Sequence, residues 1–241
     1  MEKDQPNKTD RSEAIYRALR EAIIEQALEP RTKLSEDRIG QQFGASRTLV
    51  RLALGRLANE GLVTLEPNRG AYVALPEWDE AAELFEVRTA LERIAIERIA
   101  RSADMDAIRQ LRCHIEEEAA AAALDDRRKS IRLATEFHIL LADLARSPLL
   151  SGYIAQLACR CGLLLAHHDP THSADCAVSE HGAIIDALEQ GDAERAIHLS
   201  DAHLGGVLNR ALEGRPPLEG QDLDQILGPY AERVLAQGSK K

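Results

Sequence analysis

The sequence predicts a mainly α-helical chain in two parts, a short N-terminal unit with one hairpin and a longer unit built only of helices. Three observations carry this. Residues 34–44 and 46–60 read as two helices parted at Gly44, followed by strand-like Leu62–Leu65 and Ala71–Ala74 around the turn Pro67-Asn68-Arg69-Gly70. Beyond Trp78 the apolar residues recur at helical spacing, with no strand-like alternation and no internal repeat. Hydrophobic residues make up 44% of the chain but aromatics only 3%, a core chemistry of Ala, Leu and Ile that suits helix-on-helix packing. Helix, turn, helix and a basic-tipped hairpin is the order of a winged helix-turn-helix. The six or seven helices that follow suggest an antiparallel bundle with its own core.

The elements can be justified in order. Residues 1–10 are polar and are expected to form a disordered tail, residues 11–75 the winged unit, 76–79 a linker, and 80–236 the all-helical domain. Glu13 to Leu28 place Ile15, Leu19, Ala22, Ile23 and Ala27 on one stripe, and Pro30 breaks it. Ser35 is placed to cap the next helix, with Glu36 and Asp37 in its first turn, where the helix dipole favours acids. Ser46 is placed to cap the second, whose apolar side is expected to include Leu49, Val50, Leu52, Ala53, Leu57 and Ala58. Gly61 stops it. In the second part, helices are expected over 79–102, 104–123, 127–145, 148–167, 178–190, 192–213 and 221–236. Glu116-Glu117-Glu118 marks a polar face of the second of these, and Gly191-Asp192 reads as a stop followed by a cap.

Charge and composition narrow the function. Net charge is −10, but residues 1–76 carry 12 Lys+Arg against 11 Asp+Glu, whereas residues 77–241 carry 18 against 29. The acidity therefore lies outside the winged unit, and a near-neutral module can still bind a duplex if its cations share one face. No apolar run approaches the ~20 residues of a bilayer span, and the polar N-terminus lacks a signal-peptide pattern. The expectation is a soluble, cytoplasmic protein with no membrane partner. Cys159 and Cys161 have no second close pair, so a zinc–thiolate cage is not indicated, and Cys113, Cys159, Cys161 and Cys176 read as buried free thiols.

Two sets of residues carry chemistry. At the front of the second helix, Ser46, Arg47, Thr48 and Arg51 stand where a recognition helix meets base edges and phosphates, and Arg69-Gly70 tips the hairpin. Ordinary solvated arginines on a surface helix are the bland alternative for any one of them. In the second part, His138, His181 and His203 fall on apolar faces of three helices, and Arg88 on another. Three converging imidazoles could hold zinc or another divalent metal and leave positions for a ligand carboxylate. A buried guanidinium wants an anion, and Arg160 is a second, weaker candidate for that contact. Histidines satisfied within a core are the bland alternative.

The run Leu34-Ser35-Glu36 through Ser46-Arg47-Thr48-x-x-Arg51-x-Ala53-Leu54-x-x-Leu57-x-x-Glu60-Gly61-Leu62-Val63, then Pro67-x-Arg69-Gly70-x-x-Val73, resembles the GntR family of bacterial transcription regulators. Arg88-x-x-x-Glu92, Phe137-His138, Glu180-His181-x-x-Ile184-x-x-Ala187-Leu188-x-x-Gly191-Asp192 and His203-Leu204 resemble its FadR-type, or FCD, sensing domain. The resemblance covers about residues 12–213. It implies a homodimer on a short palindromic double-stranded DNA operator, with Arg38, Ser46, Arg47, Thr48, Arg51, Arg69 and Gly70 at the DNA. It also implies a small organic acid effector in the helical domain, near Arg88, His138, His181, His203 and Arg160, and in some members a metal on the three histidines. The sequence departs from the family at Ala134, where metal-holding members carry an Asp ligand, at Leu49 and Leu52, which replace Pro and Glu, and at Asp37, which replaces an Arg. The reading is a DNA-binding regulator, in the first instance a repressor of a small catabolic operon. The alternatives are a metal-dependent enzyme acting on small carboxylates through the three histidines, and a constitutive architectural DNA-binding protein. Against the enzyme, Glu180 neighbours His181 in sequence and is expected to point away from it.

Overall fold

A computed structural model describes residues 8–76, 78–102, 104–168, 174–213 and 223–238. The chain divides into two compact units, one of residues 1–75 with 217–241 and one of residues 76–216.

The first unit contains α1 (Lys8–Ile24), β1 (Lys33–Leu34), α2 (Glu36–Gln42), α3 (Arg47–Asn59), β2 (Val63–Glu66), β3 (Gly70–Val73) and α10 (Leu223–Gly238). The strands form an antiparallel sheet in the order β1-β3-β2, with Val63 opposite Val73 and Glu66 opposite Gly70. The hairpin matches the sequence expectation to within a residue. β1 was not expected, because two residues are too short to show any alternation. Ser35 caps α2 through the Arg38 amide, and α3 closes at Gly61 in a left-handed conformation (φ 73°), with the Leu62 amide reaching back to the Leu57 carbonyl at 2.9 Å.

Several expectations need correction here. Ser46 occupies the N-cap position of α3, yet its side chain makes no capping hydrogen bond. The core side of α3 is Val50, Ala53, Leu54 and Leu57, whereas Leu52 is 57% exposed. Helix α1 begins at Lys8, inside the segment expected to be a tail. Helix α10 belongs to the winged unit and not to the helical domain: it packs on α1 and α2 and buries Leu223, Leu227, Tyr230 and Ala231. The physical reason is that α1 has two apolar sides to cover. Ile15, Leu19, Ala22 and Ile23 are all buried, and α3 and α10 both pack on this helix.

The second unit comprises α4 (Trp78–Ser102), α5 (Met105–Ala123), α6 (Arg127–Leu144), α7 (Pro148–His168), α8 (Ala174–Glu189) and α9 (Ala193–Glu213). These agree with the expected helices within a few residues, save that α4 already starts at Trp78, inside the expected linker. Asp104, Asp126 and Asp192 accept from the amides of the helices they precede, as N-caps do. The main core gathers Ile96, Ile99, Leu111, Phe137, Leu141, Ile154, Ile184 and Ile185 from α4, α5, α6, α7 and α8. A second cluster joins Leu84 and Phe85 of α4, Cys161 and Leu164 of α7, and Leu204 and Val207 of α9. The window Pro148–Leu165, with mean hydropathy 1.3, has the length and composition of a membrane span. This is more apolar than the sequence reading allowed. Here it lies in α7, packed against α4, α6 and α9. Cys159 and Cys161 are buried as expected, but Cys113 is exposed, and the Cys176 side chain lies outside the described residues, as does His172.

Candidate functional site

The first site is the outward face of α3. Its apolar side is committed to the core, so Arg47, Thr48, Arg51 and Leu52 are left facing solvent, with Ser46 exposed just before them. The guanidinium groups are not loose. Arg47 pairs with Asp37 (Nε to Oδ1, 2.5 Å) and Arg51 with Glu36 (Nε to Oε1, 2.8 Å), so the first turn of α2 orients both cations of α3. Asp37, at which the sequence departs from the family resemblance, therefore has a partner in Arg47. Exposed pairs of this kind contribute little and are screened by salt, so a phosphate can displace the carboxylates. At the hairpin tip, Arg69 lies 3.1 Å from Glu66, and Gly70 has φ 104°, a conformation that disfavours any side chain. Arg38 is placed differently from the other cations. Its Nε and Nη2 both bind Asp224 Oδ2 of α10, at 2.8 and 2.5 Å, and Gln42 Nε2 donates to the Asp224 carbonyl at 3.1 Å.

The second site lies within the helical unit. Along α4 the buried stripe runs Leu84, Phe85, Arg88, Glu92, Ala95, Ile96, Ile99, so two opposite charges interrupt an apolar face four residues apart. They pair directly, Arg88 Nε to Glu92 Oε1 at 2.7 Å, with both side chains almost fully buried. The other Glu92 oxygen meets His138 Nδ1 of α6 at 2.9 Å. His181 of α8 makes the same kind of contact from Nδ1 to Glu118 of α5, at 3.1 Å, and His203 of α9 from Nδ1 to Glu180 of α8, at 2.6 Å. Each imidazole is thus held by a carboxylate on Nδ1, which leaves Nε2 to face the others. The Nε2 atoms of His181 and His203 are 3.3 Å apart, and one ligating nitrogen from each of the three rings lies within 4.8 Å of the rest. Phe137 stacks on His181 at 4.0 Å between ring centroids and walls one side of the group.

The electrostatics follow from burial. Burial pushes the Glu92 carboxyl up, but His138 and Arg88 outweigh it and hold the group well below the usual carboxylate range. Burial drives His138 and His181 well below the usual imidazole range, only partly opposed by Glu92, so both rings are neutral. His203 lowers the Glu180 carboxyl, against a smaller effect of burial. A neutral imidazole that donates from Nδ1 keeps its lone pair on Nε2, the form that ligates metals.

The structure brings His138, His181 and His203 together as the sequence suggested, with Arg88 one residue removed through Glu92. Arg160 does not join them: its guanidinium reaches Glu80 of α4 at 3.4 Å. Glu180 does not point away from the cluster, since it holds His203. The sequence places Glu118 on a polar face, yet it is 1% exposed and holds His181. A signal for it existed. Glu118 is seven residues from Leu111 and three from Ile115 and Ala121, in phase with the buried stripe of α5.

A reading helix with a basic hairpin in one unit, and a closed three-histidine cluster among helices in another, define the class: a DNA-binding transcription regulator with a separate sensing domain. Residues 11–73 match the bacterial regulatory proteins of the gntR family, and residues 83–206 match the FCD domain, so the chain belongs to the GntR family with an FCD sensing domain. Among curated relatives, the HTH-type transcriptional repressor RspR of Escherichia coli (strain K12) is 26% identical over 194 residues, covering 80% of this chain and 85% of that protein. The HTH-type regulator YdhC of Bacillus subtilis (strain 168) is 25% identical, covering 76% and 82%. Among solved structures, a GntR-type regulator from Rhodococcus sp. RHA1 superposes with a TM-score of 0.73 at 24% identity, covering 84% of this chain and 97% of that one. E. coli McbR/YncC gives 0.71 at 21%, covering 84% and 95%. Family and relatives are transcription regulators, not enzymes, so the alternative of a metal-dependent enzyme acting on small carboxylates falls.

Proposed function

We propose that the protein is a homodimeric, cytoplasmic repressor whose grip on a palindromic operator is controlled by a small organic acid bound beside a divalent metal in the helical unit. The observation that carries this is the geometry of the buried cluster. Each of the three imidazoles is held at Nδ1 by a glutamate, and one ligating nitrogen from each ring lies within 4.8 Å of the others. Three imidazoles turned toward one another in this way are a ligand set for a divalent cation. The metal-free version of the reading, an anion held by the imidazoles alone, would leave those inward-facing lone pairs against a negative charge.

The donor set fits a metal. The 3.3 Å between His181 and His203 Nε2 is close to the ~3.3 Å edge of a tetrahedron with zinc–nitrogen bonds of about 2.0–2.1 Å. Each Nδ1 is fixed by a carboxylate, the usual outer arrangement of a ligating histidine. With Ala134 in place of the family's Asp ligand, His138, His181 and His203 would be the protein ligands and Glu92, Glu118 and Glu180 their supports. Bound there, a divalent ion supplies positive charge and open positions that a carboxylate can occupy. Arg88, already neutralised by Glu92, then acts mainly by fixing the His138 tautomer through that carboxylate.

In the winged unit, Arg47, Thr48 and Arg51 would read and hold the major groove, with Ser46 near the phosphates and Arg69-Gly70 following the hairpin side. Arg38 can contribute only when Asp224 releases it. The homodimer is supported by exposed apolar residues one heptad apart on α4, Val87 and Ile94, and by Leu149 and Tyr153 on α7, a helix that packs on α4.

The test is elemental analysis of the purified protein, followed by operator binding with and without a panel of small carboxylates. One divalent ion per chain, lost in His203→Ala, is expected, together with weaker DNA binding when the right acid is added. Operator affinity indifferent to metal and to every acid would overturn the reading. Arg47→Ala and Arg51→Ala should each weaken operator binding roughly tenfold to a hundredfold.

A further inference from the structure

The outward face of α3 carries two residues that the free protein does not explain. Leu52 is 57% exposed, four residues after Thr48 and three before Gly55, and so neighbours both on the helix surface. Gly55, four residues after Arg51, lies between the strips of surface that Arg51 and Leu52 cover. Glycine in a helix interior is destabilising, and a Cβ built at Gly55 meets nothing within 4 Å, so no packing in the fold requires its absence. An exposed leucine beside an unneeded glycine, bordered by Arg47 and Arg51, is a surface shaped for something outside the chain.

The major groove offers what this surface lacks. The C5-methyl of thymine is the apolar feature displayed there, and aliphatic side chains recognise it by contact. A helix position with no side chain lets the backbone come close to the groove wall, as glycine does wherever a backbone must approach a ligand. We propose that Leu52 is a specificity-determining residue that packs on the C5-methyl of one thymine in each operator half-site, with Gly55 permitting the close approach. This rests on α3 being the helix that enters the groove.

The test uses the full chain and duplexes that the wild-type protein selects from a random-sequence pool. Each thymine of the selected site is replaced in turn by deoxyuridine, which removes only the methyl. At one thymine per half-site the replacement should weaken the wild type about fourfold, the effect of one lost buried methyl, while Leu52→Ala should be indifferent to it there. Leu52→Ala should keep the wild-type thermal midpoint, since the side chain is exposed. Gly55→Ala should hold or raise the midpoint and still bind less tightly.

Sensitivity to deoxyuridine that persists unchanged in Leu52→Ala, or is absent at every thymine in the wild type, overturns the proposal. A Leu52→Ala protein with unaltered base preference but altered oligomeric state would assign Leu52 to a protein contact and overturn it equally. Undiminished affinity in Gly55→Ala removes the close approach. Arg51→Ala separates the two layers. If it binds as wild type does, α3 is not the reader and both fail, whereas if it weakens binding while the methyl effect is absent, only the role of Leu52 fails.

Discussion

At the residue scale, the carboxylates matter as much as the imidazoles they hold. Glu118 sits on His181 Nδ1 and should set both the tautomer and the orientation of that ring. Glu118→Gln keeps the shape and a hydrogen bond but removes the charge, and metal affinity should fall about 10- to 100-fold, read by competition with a chelating dye, while the far-ultraviolet circular dichroism is unchanged. A different residue reports on the winged unit. Tyr16 donates to Glu60 at 2.7 Å, and burial followed by that carboxylate pushes its phenol up to about 12. The folded state therefore keeps a proton that an unfolded chain loses near pH 10. The stabilisation is complete below pH ~10 and disappears as pH rises through about 12. An absorbance titration should show a tyrosine ionising near pH 12 in the wild type that is missing from Tyr16→Phe. The clustered histidines were legible in the sequence because a polar residue on an apolar stripe is conspicuous. Their carboxylate partners were not, because a glutamate on a helix reads as solvent-facing until the facing helix is known, and Glu118 stands within a run of three.

At the scale of elements, helical periodicity located the helices but could not say which core each one joins. Helix α10 is the instructive case. Its stripe of Leu223, Leu227, Tyr230 and Ala231 promised a buried face, yet the partner is α1, about two hundred residues earlier, and not the preceding bundle. The polar contacts agree with the apolar ones. Tyr230 bonds to Glu25, Arg233 lies 3.2 Å from Glu21, and Asp224 holds Arg38 across 186 residues of sequence. Neither end of that last pair hints at the other in sequence. The consequence is that a carboxylate occupies a cation that the family resemblance assigns to DNA. Asp224→Asn should loosen Arg38 and raise affinity for all duplexes alike, since a phosphate contact carries no sequence information. The slope of log affinity against log salt should steepen by about one. Binding measured across a series of KCl concentrations checks this, and a loss of affinity would mean that Asp224 presents Arg38 to the duplex and does not withhold it.

For the whole molecule, the division of the chain has a consequence for signalling. Because residues 217–241 return to the winged unit, the chain passes between the units twice, near residue 76 and near residue 216. The α9 helix that carries His203 leads into the second passage, and α10, which holds Arg38, follows it. A change at the cluster thus has two covalent routes to the reading surface. Whatever the route, thermodynamics constrains the outcome. An acid can shift DNA affinity only through a difference in its own affinity for the DNA-bound and free states, and the coupling is reciprocal. If the acid weakens operator binding by some factor, saturating operator must weaken acid binding by the same factor, in the range of roughly 5- to 150-fold typical of such coupling. Calorimetric titration of the acid into the protein supplied with metal, with and without excess operator duplex, measures this directly. Removing residues 217–241 should shrink that factor if the second passage carries the signal. It should leave the factor intact if the passage near residue 76 suffices, and the winged unit would then be destabilised without being uncoupled, because the apolar side of α1 that α10 covers would be opened to water.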